Sequence, residues 1–89
     1  MTTVVLVHGA WGGSWIWERV VPLLEGRGVH ALTVALPSMD CDPAHPVGLA
    51  ADAAAVGGVL DGATGPFVVC GHSYGGMVIT QAAAGRSDV

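Results

Sequence analysis

Three short apolar runs constrain the fold of this chain more than any other feature. They are "TVVLVH" at 3–8, "VHALTVAL" at 29–36 and "FVVC" at 67–70. In the first, β-branched residues run on without polar alternation, the signature of a strand covered on both faces as in a parallel sheet, and the other two read as further strands. The segments between them carry helical signals. From Ser14 onward, Ile16, Val20, Leu23 and Leu24 fall on one face at helical spacing. Ser14 is the expected cap of that helix, and Glu18 lies near its positive end. Pro22 is expected to kink or split it, because proline cannot donate to the carbonyl four residues back. "EGRG" ends it, with Gly26 or Gly28 as the left-handed stop. Residues 48–61 predict an alanine-rich helix weakened by Gly57 and Gly58, and "MVITQAAA" a third helix. The order β-α-β-α-β-α predicts an α/β fold: a parallel sheet with flanking helices and right-handed crossovers. No repeat or linker interrupts it, and 89 residues hold one domain at most.

The chain is 52% hydrophobic and only 11% charged. That is high for a small domain that must also cover itself with polar surface, and it suggests apolar surface meant to meet more protein. The net charge is −4, with Arg19, Arg27 and Arg86 as the only Lys or Arg residues. Without a basic patch, neither nucleic acid nor an anionic membrane is an expected partner. The N-terminus has no positive region ahead of a signal-like core, and no stretch approaches the length of a membrane span, so the expected compartment is the cytoplasm. Cys41 and Cys70 form no C-x-x-C pair and read as buried free thiols. No cluster of His, Cys and carboxylates has ligand spacing, so no metal or organic cofactor is expected.

The chemistry concentrates in "GHSYGG", 71–76. G-x-S-x-G is short, and its context decides its meaning. A nucleophile elbow needs a strand immediately before the serine and a helix after it, and both are predicted here. In so tight a turn the residues two before and two after the serine lie together, which explains Gly71 and Gly75. Gly76 is expected to let the helix start close to a neighbouring strand. Ser73 then takes a strained conformation with its hydroxyl standing out at the C-terminal end of the sheet. The bland alternative is that Ser73 merely caps a helix. "HGAWGG", 8–13, cuts that alternative down: it is a second glycine-rich turn ending the first strand, and it opens onto the same end of the sheet. A backbone N–H from it and that of Tyr74 together have the makings of an oxyanion hole.

On these residues, "VVLVHGAWGGSWIWERVVPLLEGRG" and "FVVCGHSYGGMVI" resemble the N-terminal half of an α/β-hydrolase. More narrowly they resemble the esterase branch that includes plant methylesterases and hydroxynitrile lyases. The resemblance covers nearly the whole chain. It implies Ser73 as nucleophile, Ala10 and Tyr74 as backbone oxyanion donors, and Trp11 at the mouth of the pocket. His8, Gly9 and His72 become supporting residues. It further implies an ester-like small-molecule substrate and an acyl-serine intermediate, with hydroxynitrile-lyase-like chemistry as the alternative. Where that branch often has His-Gly-x-x-His-Gly, the fifth position here is Gly12, so any contact a histidine makes there is lost. Trp11, Trp15, Trp17 and Tyr74 suit either a pocket wall or ordinary core.

A serine hydroxyl needs a base, and the base needs an orienting acid. In this fold they follow the serine as Asp or Glu and then His. After Ser73 the sequence has no histidine, and its one acid is Asp88. His72 is expected to turn away from the hydroxyl and give packing support, His8 to hold its turn, and His30 and His45 to lie elsewhere. By the family's strand order the first strand lies in the middle, so both outer strands expose an edge that invites self-association or pairing. The 89 residues therefore read as the N-terminal portion of one truncated domain, inactive alone or serving as an interaction piece. Nucleotide binding fits poorly: "HGAWGG" is neither G-x-G-x-x-G nor a P-loop, and "VALP" offers no acid for a ribose.

Overall fold

The computed structural model describes residues 2–89. Strands β1 (Thr3–Val7), β2 (His30–Val34) and β3 (Phe67–Gly71) form one parallel sheet in the order β2-β1-β3. The register aligns Val5 with Leu32 and Val69, and Val7 with Val34 and Gly71. Side chains alternate along a strand, so these residues share one face. Helices α2 (Leu49–Asp61) and α3 (Tyr74–Ala83) cover that face. The core forms there from Val5, Val7, Val34, Leu36, Val56, Leu60, Phe67 and Val78. On the other face Leu6 and Ala31 are buried, on the side of the 3-10 turn Ser14–Trp17 and the short helix α1 (Val20–Glu25). Val68 and Cys70 are exposed on β3. The expectation of two buried thiols therefore fails. Cys70 points to the poorly covered side, and Cys41 is only partly buried in a loop.

The single helix expected from Ser14 is two pieces. Ser14 lies inside the 3-10 turn, whose cap position is Gly13, and no side chain caps it. The α-helix proper starts at Val20, which places Pro22 in the first turn, where a missing N–H costs nothing. The split that Pro22 predicts is the one observed. Gly28 is the left-handed stop (φ 77°), and Val29 N–H returns to the Leu24 carbonyl 3.0 Å away. Helix α3 starts three residues before "MVITQAAA". Gly75 and Gly76 are poor helix formers, yet they lie within it, because N–H groups of both close turns onto His72 and Ser73 carbonyls at 2.9 Å.

Candidate active site

Strand β3 ends at Gly71 and α3 begins at Tyr74, leaving His72 and Ser73 to make the whole reversal. The crowding that results selects the residue types. A Cβ on Gly71 would lie 2.5 Å from the Gly75 carbonyl carbon, and one on Gly75 would lie 2.5 Å from the Val7 carbonyl oxygen. Both contacts are with backbone, which cannot move aside. Gly76 is different: a Cβ there meets nothing within 4 Å. The close approach to a neighbouring strand expected of Gly76 thus falls to Gly75, because Gly75 is the residue that faces β1.

Ser73 has φ 55° and ψ −120°, a conformation that L-residues adopt at a cost of about 1–3 kcal/mol. It occupies the N-cap position of α3, but its side chain makes no capping hydrogen bond. A capping serine would have extended φ and ψ and a bonded hydroxyl. The hydroxyl is instead exposed and uncommitted among the described residues.

The first turn meets the elbow directly. A Cβ on Gly9 would lie 2.9 Å from the His72 carbonyl oxygen and 3.1 Å from Ser73 Cβ. Ala10 follows at once. Among the described residues, the backbone N–H groups of Ala10 and Tyr74 donate to no protein acceptor, whereas that of Trp11 points at Met39 Sδ, 3.2 Å away.

Histidine 8 is buried, and both of its ring nitrogens are engaged. The Leu36 N–H donates to Nε2 at 3.1 Å, so the proton sits on Nδ1 and is donated to the Gly9 carbonyl at 2.8 Å. It holds the first turn to β2 and has no free nitrogen for Ser73. His72 is exposed, with Nδ1 over Gly9, and lines a cleft beside Trp11. His30 starts β2 at the opposite end of the sheet, about 13 Å away along the strand. His45 lies in an exposed loop beside Asp42. Asp88 is also at the far end: its carbonyl accepts the Phe67 N–H, and its carboxylate takes a two-pronged bond from Arg86 at 2.9 Å. Arg86 holds the Asp88 carboxyl below the usual carboxylate range. Among the described residues none of these groups hydrogen-bonds Ser73.

Two clefts flank the first turn. One, about 360 Å³, lies between Ala10, Trp11, Gly12, Ser38 and Met39. The other, about 410 Å³, is lined by Gly9, Trp11, Ile16, Trp17 and His72, and Trp17 Nε1 is buried without a partner among the described residues. Trp11 stands between them, 95% exposed and at φ 66°. Trp15 is exposed as well, so neither belongs to a core. A larger cavity of about 530 Å³ lies at the far end, around Thr3 and His30, away from the elbow.

Sequence reasoning missed Asp52, which is fully buried near the start of α2. Its carboxylate accepts from Ser38 N–H at 2.9 Å, from the Ser38 hydroxyl, and from the Tyr74 hydroxyl at 2.6 Å. The signal was present: Asp52, Val56 and Leu60 form one stripe at four-residue spacing, and a charge in an apolar stripe needs partners. The bond to Asp52, burial and the nearby negative charge raise the Tyr74 hydroxyl above the usual phenol range.

Residues 4–89 match the model of the alpha/beta hydrolase family. A pyrethroid hydrolase of Sphingobium wenxiniae is 36% identical over 99% of this chain and 32% of its own length. A carbendazim hydrolyzing esterase of a Nocardioides species is 35% identical over 93% of the chain and 36% of its own length. An extracellular alpha/beta-hydrolase from a Paenibacillus species superposes with a TM-score of 0.85 at 25% identity, over 99% of this chain and 37% of that one. The chain thus spans about a third of the length of the relatives it matches from end to end.

Proposed function

Because the chain belongs to the alpha/beta hydrolase family, we propose that it carries the nucleophile and the oxyanion hole of a serine esterase. The observation that carries this reading is Ser73 itself. It is held at positive φ on a two-residue turn, at the N-cap position, yet its hydroxyl caps nothing. Strain of this kind persists only where the surroundings over-determine it, and it concentrates at functional sites.

In the proposed reaction Ser73 Oγ attacks the ester carbonyl carbon. The carbonyl oxygen becomes an oxyanion, and the N–H groups of Ala10 and Tyr74 receive it. Both are uncommitted in the resting protein, so no bond has to break first. The N-terminus of α3 adds its partial positive charge. Collapse of the intermediate expels the alcohol and leaves an acyl-serine, which water then hydrolyses. The proton from Ser73 goes to a base, which returns it to the departing alcohol; that base comes from outside these 89 residues in this reading, since none of His8, His30, His45 and His72 hydrogen-bonds Ser73. Alone, the 89 residues have little or no turnover. The clefts beside Trp11 supply apolar walls for the acyl and alcohol groups. The names of the esterase and hydrolase relatives support an ester as the small-molecule substrate.

The test is turnover of short-chain nitrophenyl and methyl esters by the protein as its source makes it, with cyanohydrin cleavage assayed alongside. Ester cleavage that Ser73→Ala abolishes is the expected result. Cyanohydrin cleavage without ester cleavage would transfer the same elbow to lyase chemistry. Ester cleavage unaffected by Ser73→Ala would overturn the assignment.

A further inference from the structure

Asp52 poses a question that packing does not answer. Its position in the buried stripe of α2 suits an apolar residue, and a buried carboxylate is expensive unless every oxygen is bonded. Among the described residues no Arg or His forms an ion pair with it. Its compensation comes from three neutral donors and from its place in the first turn of α2, where the helix dipole favours negative charge. Those donors belong to two segments far apart in sequence, the turn after β2 and the start of α3.

One segment adjoins Ser73 and the other borders the first turn. Tyr74 is the next residue, and its backbone N–H is one of the two uncommitted donors. Ser38 lines the cleft beside Ala10 and Trp11. Its neighbour Met39 accepts the Trp11 N–H, which reaches back into the first turn. One carboxylate therefore touches both sides of the candidate site.

We propose that Asp52 is the positioning residue of this site: it ties the Tyr74 ring to the Ser38 turn, so that elbow and cleft wall are set as one unit. Its functional meaning rests on the reading of Ser73 and the Tyr74 N–H given above. Without the tether the first residue of α3 is free to turn, and the Tyr74 N–H loses its aim. The carboxylate grips two polar segments at once, which no apolar side chain could do.

The test does not depend on turnover. Tyr74 is the only tyrosine in the chain, so tyrosinate absorbance titrates it alone. In the unaltered chain it should titrate above the ordinary value, and in Asp52→Asn it should fall toward about 10. Amide exchange supplies the second readout. Tyr74→Phe should speed exchange at Gly75 and Gly76 about tenfold or more, while Val5 and Val7 in β1 stay unchanged. A merely structural Asp52 would instead speed all four together on substitution. A tyrosine with ordinary titration in the unaltered chain, or no local change in Tyr74→Phe, overturns the proposal. These two results decide it even if Asp52→Asn does not fold. Failure of the esterase reading would appear separately, as an unreactive Ser73 in a chain whose tether is intact.

Discussion

Gly75 and Gly76 are adjacent in α3, and alanine should have opposite effects at the two. At Gly75 a Cβ would lie 2.5 Å from the Val7 carbonyl oxygen and 2.8 Å from that of His8. Both atoms belong to the central strand or its end, so relief requires α3 to move off the sheet. Overpacking of this kind costs about 1–3 kcal/mol, and two backbone contacts below 3.0 Å place it at the upper end or beyond. At Gly76 nothing lies within 4 Å, and replacing a helical glycine by alanine gains about 0.5–1 kcal/mol. The two variants should therefore differ by about 4 kcal/mol. A small domain is stable by about 5–15 kcal/mol in all, so Gly75→Ala should lose a sizeable share of it. Urea titration of both variants beside the unaltered chain measures this directly, with midpoints ordered Gly76→Ala, unaltered, Gly75→Ala. Coincident midpoints for the two alanine variants would refute the close approach of α3 to β1, and with it the geometry that presents Ser73.

Replacing His8 by Leu leaves the Leu36 N–H buried and unpaired. It should cost about 1–3 kcal/mol in urea unfolding, and no loss would mean that the first turn does not depend on that bond. The Asp88 carboxyl is held low by Arg86, so its contribution to stability is full above the unfolded value. It is lost as pH falls below about 4 toward the folded value, and Asp88→Asn should remove that part of the acid dependence. An unchanged acid profile in Asp88→Asn would contradict the pairing. The outer edges of β2 and β3 carry no partner strand among the described residues, so sedimentation of the 89-residue chain should show association that grows with concentration. A monomer at every concentration would show that the edges are protected.

The strands, the parallel sheet and the elbow were legible because each rests on a local pattern. The continuous β-branched run of β1 demands burial on both faces, and Gly71, Ser73 and Gly75 at two-residue spacing fit a turn that side chains would block. The helix after β1 was misread because helical spacing over 16–24 says nothing about where a chain leaves the sheet. Pro22 carried the better information, since it is comfortable only in a first turn. The roles of Gly75 and Gly76 are set by which of them faces β1, a tertiary fact. Cys70 is exposed because α2 and α3 cover the opposite face. Asp52 was visible only as an acid among alanines. Its partners, Ser38 and Tyr74, lie 14 and 22 residues away and meet it only through the fold. The base for Ser73 was not legible because none of the chain's four histidines hydrogen-bonds it.

The central claim is that Ser73 is a nucleophile. The most direct measurement treats the protein, as its source makes it, with a fluorophosphonate probe and locates the adduct by mass spectrometry. One adduct per chain is expected, on the peptide that carries Ser73, and none in Ser73→Ala. A folded protein that stays unlabelled at Ser73, or that is labelled equally in Ser73→Ala, would contradict it.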